Sequence, residues 1–148
     1  MISKVKIKVI RLAMLGNTRV GKTSICRVFF SDYFREDEFV TIGHYKYEKQ
    51  IRMEDGNDLK LIIWDTSGQE RFHYMSIGLC KKVQGMLLCF DLTNKETFNR
   101  IKLWLDEIND INPNLPIILL GNKYDLIDKR KITEEEVEVF AEKCSLPY

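Results

Sequence analysis

Gly16-Asn17-Thr18-Arg19-Val20-Gly21-Lys22-Thr23 lies between an apolar, β-branched run and a segment of helical character, and its reading decides the fold. The spacing Gly-x4-Gly-Lys-Thr places glycines where a backbone must turn and approach a polyphosphate closely. Successive N–H groups and the N-terminus of the following helix then point at anionic oxygens. Lys22 adds a point charge for the β and γ phosphates, and Thr23 offers a hydroxyl to Mg²⁺, a hard cation that prefers oxygen ligands. Residues 16–23, with Ser24 beside them, are the expected phosphate-binding residues. Alone, the motif separates neither ATP from GTP nor a kinase from a switch.

The flanks supply the strand–loop–helix context that such a loop needs, with a strand expected over residues 5–15 and a helix over 22–30. Residues 45–53 and 59–65 read as two strands around Glu54-Asp55-Gly56-Asn57-Asp58, whose Asp-Gly predicts an antiparallel hairpin. Residues 85–91 and 117–121 are short apolar runs of the buried parallel-strand type, separated by a helix over 95–109 that Asn112-Pro113 ends. Thr93 to Glu96 and Thr133 to Glu136 each fit a capping box. Residues 32–41 are acidic and aperiodic, an exposed and mobile loop of the kind that is usually functional. The expected fold is α/β: a mostly parallel sheet with one antiparallel edge hairpin, flanked by helices on both faces. Residues 1–148 make one domain, without repeats, linkers or low-complexity tracts.

Composition narrows the class. A net charge of +1 with 30% charged residues gives no single-sign field, so nucleic acid and anionic membrane surfaces gain no support as partners. Cys26, Cys80, Cys89 and Cys144 form no C-x-x-C pair and read as reduced cytosolic thiols. Residues 1–8 alternate Lys with apolar residues, unlike a signal peptide, and the longest apolar runs are too short to span a bilayer. His44 and His73 lack metal-like spacing and are expected at the surface; no zinc site is expected.

Asn122-Lys123-Tyr124-Asp125 identifies the base. The Asp125 carboxylate can accept two hydrogen bonds, matching the N1–H and N2–H₂ donors of guanine, whereas adenine has an acceptor at N1 and nothing at C2. Asn122 has a donor and an acceptor to tie the loop, and the Lys123 stem can lie on the ring face. Between these motifs stands Trp64-Asp65-Thr66-Ser67-Gly68-Gln69-Glu70, which fits a sensor of the γ-phosphate.

With these motifs in this order, the chain resembles a small GTPase of the Ras superfamily over essentially its whole length. It is most like the Rab subfamily, by Leu59-Lys60-Leu61-Ile62-Ile63-Trp64-Asp65-Thr66-Ser67-Gly68-Gln69-Glu70-Arg71-Phe72 and Phe90-Asp91-Leu92-Thr93-Asn94. The resemblance implies a P-loop NTPase fold, GTP or GDP as ligand, and Mg²⁺ as cofactor. It implies that Thr23, Thr41 and Asp65 serve the metal, Thr41 only in the GTP state and Asp65 through water. The Gly68 N–H would touch the γ-phosphate, Gln69 would orient the attacking water, and Phe34 would meet the guanine edge-on. Gln69, Lys22 and Gly68 are the implied catalytic set of a switch with slow hydrolysis, in vesicle traffic or related signalling. Exchange factors, activating proteins and effectors would contact residues 34–47 and 66–80.

The chain also departs from that pattern. Arg19 stands where Gly or another small residue is usual, beside Thr18, and both can crowd the γ-phosphate or obstruct a catalytic group supplied in trans. Ser67 stands where a small residue, commonly Ala, is usual. His44-Tyr45-Lys46 replaces the Rab Val-Asp-Phe, and residues 77–82 lack the aromatic-rich Rab version, so no effector set is inherited. Cys144-Ser145-Leu146-Pro147-Tyr148 falls where the pattern would begin its last strand, followed by a Ser-Ala-Lys loop, a long helix and a lipidation cysteine. The expectation is therefore a C-terminally incomplete domain, with the strand at 117–121 an uncovered edge through which association can occur. The expected location is cytoplasmic, with membrane attachment only through a lipidated tail. The alternatives are a guanine-nucleotide-binding protein with little or no hydrolysis, and a scaffold with idle sites.

Overall fold

Side-chain alternation places the sheet between two apolar clusters. Along β1 (Ile7–Leu15), Ala13 and Leu15 enter one cluster and Met14 the other; β4 (Gly85–Asp91) repeats this with Leu88 and Phe90 against Cys89. Strands apolar on both faces need cover on both. The computed structural model describes residues 7–31, 33–34 and 40–148. Its five-stranded sheet runs β2-β3-β1-β4-β5, with β2 at His44–Arg52, β3 at Asp58–Thr66 and β5 at Ile117–Asn122. β1 pairs in parallel with β3 and β4, and β4 with β5, while β2 and β3 form the antiparallel hairpin. Chain order thus reverses at β1, and the crevice beyond the carboxyl ends of the parallel strands is where such a sheet takes a ligand.

Every described strand end lies within one residue of its expected position, as does α1 (Lys22–Ser31). Residues 5 and 6 of the first expected strand fall outside the described residues, as does most of the expected loop at 32–41. α1 lies on the Met14 and Cys89 face, where Cys26 is buried. The opposite face is covered by α4 (Ile101–Ile111) and α5 (Glu134–Lys143) through Ile101, Trp104, Leu105, Ile108, Val137 and Ala141. The 101, 104, 105, 108 spacing is the stripe of an amphipathic helix, and full burial of each such aliphatic side chain contributes roughly 1.5–3 kcal/mol.

The helix expected over 95–109 is instead two, α3 (Lys95–Asn99) and α4, meeting at Arg100. Their anchors differ: Thr97 ties α3 to the end of β4 by accepting from Asp91 N (3.0 Å), whereas the apolar stripe sets α4. The first expected capping box is also corrected. Asn94 caps α3 by accepting from Glu96 N (3.1 Å), because the Thr93 hydroxyl donates to the Asp91 carboxylate (2.6 Å), a charge-assisted acceptor. The Thr133 box on α5 is present in both directions. α2 (His73–Ile77), between two short 3-10 turns, fills a stretch for which the sequence pattern suggested no element.

The chain's last residues modify the expected bare edge. Ser145 turns left-handed (φ +53), Ser145 N donates to Glu142 O and Leu146 N to Ala141 O, which closes α5 with a Schellman motif. Pro147 O then accepts from Leu119 N (2.9 Å), and the Tyr148 ring stacks toward Phe90, so β5 is met on its outer side. On the α1 face, where α1 is the one helix among the described residues, Ile118 stays 44% exposed.

Two stability outcomes follow from these local geometries. Thr133→Ala is expected to lower unfolding free energy by about 1 kcal/mol in urea melts, and an unchanged midpoint would mean the box carries nothing. Arg19 holds φ +61, a left-handed conformation costly for residues with a Cβ. Arg19→Gly is expected to raise the melting temperature by about 3 °C, whereas Arg19→Ala, which retains the Cβ, should give no such gain.

Candidate nucleotide-binding site

Between β1 and α1 the chain wraps around one ammonium. Lys22 is 5% exposed, and its Nζ donates to Gly16 O and Asn17 O, both at 2.8 Å. Burial pushes its pKa down, with Cys89 and Asp65 partly offsetting the effect. Val20 is fully buried, while Thr18 and Arg19 are exposed at the rim. Gly21 (φ +97) is required twice over, since a Cβ there would lie 2.1 Å from the Asn122 amide nitrogen. That amide donates to Val20 O at 2.8 Å and joins the base loop to the phosphate loop.

The three expected metal ligands meet. The Thr23 hydroxyl donates to Asp65 Oδ2 (2.6 Å) and lies 2.8 Å from the Thr41 hydroxyl, although the three residues come from α1, the end of β3 and the segment before β2. Asp65 is fully buried. Two hydroxyls and a carboxylate form an all-oxygen donor set, which fits Mg²⁺ and not a soft metal. The segment after Asp65 is pinned by Thr66 Oγ1 donating to Met14 O (2.6 Å) and Ser67 N to Gly43 O (2.9 Å). Gly68 lies directly on the phosphate loop: a Cβ there would sit 2.3 Å from Asn17 C and Thr18 N. Gln69 is half-buried in a cleft lined by Thr18, Arg19, Val40, Gln69, Glu70 and Arg71.

On the other side, Lys123 turns left-handed (φ +64) and its ammonium pairs with Asp91 Oδ2 at 2.6 Å. Burial works to raise the Asp91 carboxyl, but Lys123 and the Thr93 hydroxyl and N–H outweigh it and hold it below the usual range. Asp125 is exposed with its neighbours Tyr124 and Leu126, at the mouth beyond β5. Ser24 lies in the first turn of α1. Phe34 is 64% exposed, and no ring contact among the described residues brings it toward the base loop.

Some partners were not legible from sequence. Trp104 Nε1 donates to Asn17 Oδ1 (3.4 Å), so α4 reaches the phosphate loop. His73 is not a free surface residue: it bonds to Glu107 and its ring lies 4.5 Å from that of Trp104. His44 packs edge-on to Trp64, and burial pushes its pKa down against the opposing carbonyls of Met75 and Gly43. Trp104 belongs to the apolar stripe of α4, but nothing in the sequence pointed its indole N–H at Asn17.

The Ras family model matches residues 11–148 of the chain. Among similar proteins, Ras-related protein RABF2a of Arabidopsis thaliana is 37% identical over 137 residues, covering 92% of this chain and 68% of that protein. GTP-binding protein YPT1 of Saccharomyces cerevisiae is 35% identical over 139 residues, covering 93% of this chain and 67% of its own length. Ras-related protein Rab11A of Lotus japonicus is also 35% identical over 139 residues, 93% of this chain, but only 61% of its own length. With the matched region running through all three motifs and the sheet that presents them, the chain belongs to the Ras family, as a Rab-related GTP-binding switch of the GTPase class.

Proposed function

We propose that this chain binds GTP and GDP together with Mg²⁺, hydrolyses GTP slowly to GDP and phosphate, and exposes different surfaces in the two states. The observation that carries this reading is the Thr23 hydroxyl, within 2.8 Å of both Thr41 and Asp65. The sheet register brings these three segments side by side, and what they present to one another there is oxygen.

Each residue then has a defined task. Lys22 and the N–H groups of residues 16–24 bind the phosphates, and Asp125 with Asn122 selects guanine. Mg²⁺, when bound, would neutralise phosphate charge; Thr23 and Thr41 would hold it directly and Asp65 through water. The Gly68 N–H faces the γ-phosphate from its seat on the phosphate loop, and Gln69 orients the attacking water. Loss of γ-phosphate removes the anchor of Thr41 and Gly68 together and releases the segments around both. Arg19, at the rim of the Gln69 cleft, narrows the approach of a catalytic group supplied in trans.

The Rab likeness supports a role in vesicle traffic, with regulators and effectors reading residues 34–47 and 66–80. Ile42, Tyr45, Tyr74 and Met75 are exposed there, at 74%, 59%, 88% and 52%. Among the described residues no helix is long and apolar enough to cross a membrane; a lipidated tail is the proposed means of attachment.

Asp125→Asn replaces an acceptor with a donor and is expected to shift preference from guanine to xanthine nucleotides in competition binding; an unchanged preference removes Asp125 from the base site. Gln69→Leu is expected to slow single-turnover phosphate release by roughly tenfold or more while leaving GTP affinity within about twofold. Coincident rates for mutant and parent would show that Gln69 does not handle the water.

A further inference from the structure

Gln69 does not face its cleft alone. Its side-chain Oε1 accepts a hydrogen bond from Arg71 Nε at 2.8 Å, and the Arg71 guanidinium lies over the Phe72 ring, 4.9 Å from its centroid. The two side chains line the same cleft beside Thr18 and Arg19 of the phosphate loop. Glu70, between them, turns instead toward Arg100, 3.9 Å away, and does not compete for the Arg71 guanidinium through any described contact.

The identity of the bonded atom matters. To orient water, a glutamine must present its carbonyl oxygen as the acceptor of a water hydrogen, since its amide nitrogen can only donate. Arg71 donates to that oxygen, and a cationic donor is a stronger partner than water. The stacked Phe72 ring holds the guanidinium plane in place, lowering the entropy lost in keeping the bond. The oxygen keeps a second lone pair, but the bond fixes the direction in which the amide points, toward Arg71.

We propose that Arg71 is a positioning residue that holds Gln69 in a resting orientation and so sets a low intrinsic rate of GTP hydrolysis. The inference rests on the role given to Gln69 above. The Gln69 amide reaches the attacking water more often when Arg71 does not hold it, so removal of the Arg71 donor speeds the step. The contact is exposed and local, which keeps the effect modest.

The test is single-turnover phosphate release from GTP with the parent, Arg71→Met, Gln69→Leu and the double variant, together with GTP affinity and melting temperature for each. Methionine retains an apolar stem over Phe72 and removes the donor. Arg71→Met is expected to raise the rate about three- to tenfold with affinity and melting temperature unchanged. In the Gln69→Leu background the same substitution is expected to do nothing. An unchanged or slower rate for Arg71→Met, with Gln69→Leu still slow, overturns the proposal and leaves the Gln69 role intact. Acceleration of equal size in both backgrounds also overturns it, since the effect would then not pass through Gln69. A Gln69→Leu rate equal to the parent's removes the Gln69 role itself, and the proposal with it.

Discussion

The site is organised around a buried cation. An ammonium taken out of water costs several kcal/mol unless its donors are matched, and Lys22 is matched by carbonyls that the phosphate loop turns inward. The backbone there turns through positive φ at Gly16, Arg19 and Gly21, and a coil of this kind is able to aim N–H groups at an anion. Two of the three ammonium donors are taken by loop carbonyls. The neighbouring elements depend on the coil. Asn122 bonds it at Val20, Trp104 bonds it at Asn17, and Gly68 lies against it with no room for a methyl group.

Thr41, Gly68 and Asp65 enter the site in different ways. The Gly68 backbone lies against Asn17 and Thr18, the Thr41 hydroxyl reaches Thr23, and the two segments are joined by Ser67 N donating to Gly43 O. The Asp65 end of β3 is different, being paired with β1 at Met14 and fully buried. In the proposed switch, ligand charge acts on the Thr41 and Gly68 segments beside a carboxylate fixed in the sheet.

What the sequence made legible was chemistry that needs contiguous backbone. The phosphate loop, the Asp-Gly hairpin and the Asn122–Asp125 loop each place several polar groups by local conformation, so their spacing carried the information. Strand positions were equally legible, because a buried parallel strand is a short apolar run bounded by turns. The failures share a different cause. Whether Thr93 or Asn94 caps α3 depends on the Asp91 carboxylate drawing the threonine hydroxyl away, and the break at Arg100 depends on Thr97 being anchored to β4. His73 on Glu107, and Trp104 on Asn17, join residues 34 and 87 positions apart, and no pattern along the chain encodes such pairings. Arg19 was recognisable as an unusual residue type, but its left-handed backbone was not.

Chromatography of the nucleotide released on denaturing the purified protein tests the central claim most directly. A guanine nucleotide, GDP or GTP, in near-equimolar amount and lost after dialysis against a magnesium chelator, is the expected result for a Lys22 site closed by Thr23, Thr41 and Asp65. An adenine nucleotide, or none from protein that is folded and saturated with guanine nucleotide and magnesium beforehand, would contradict it.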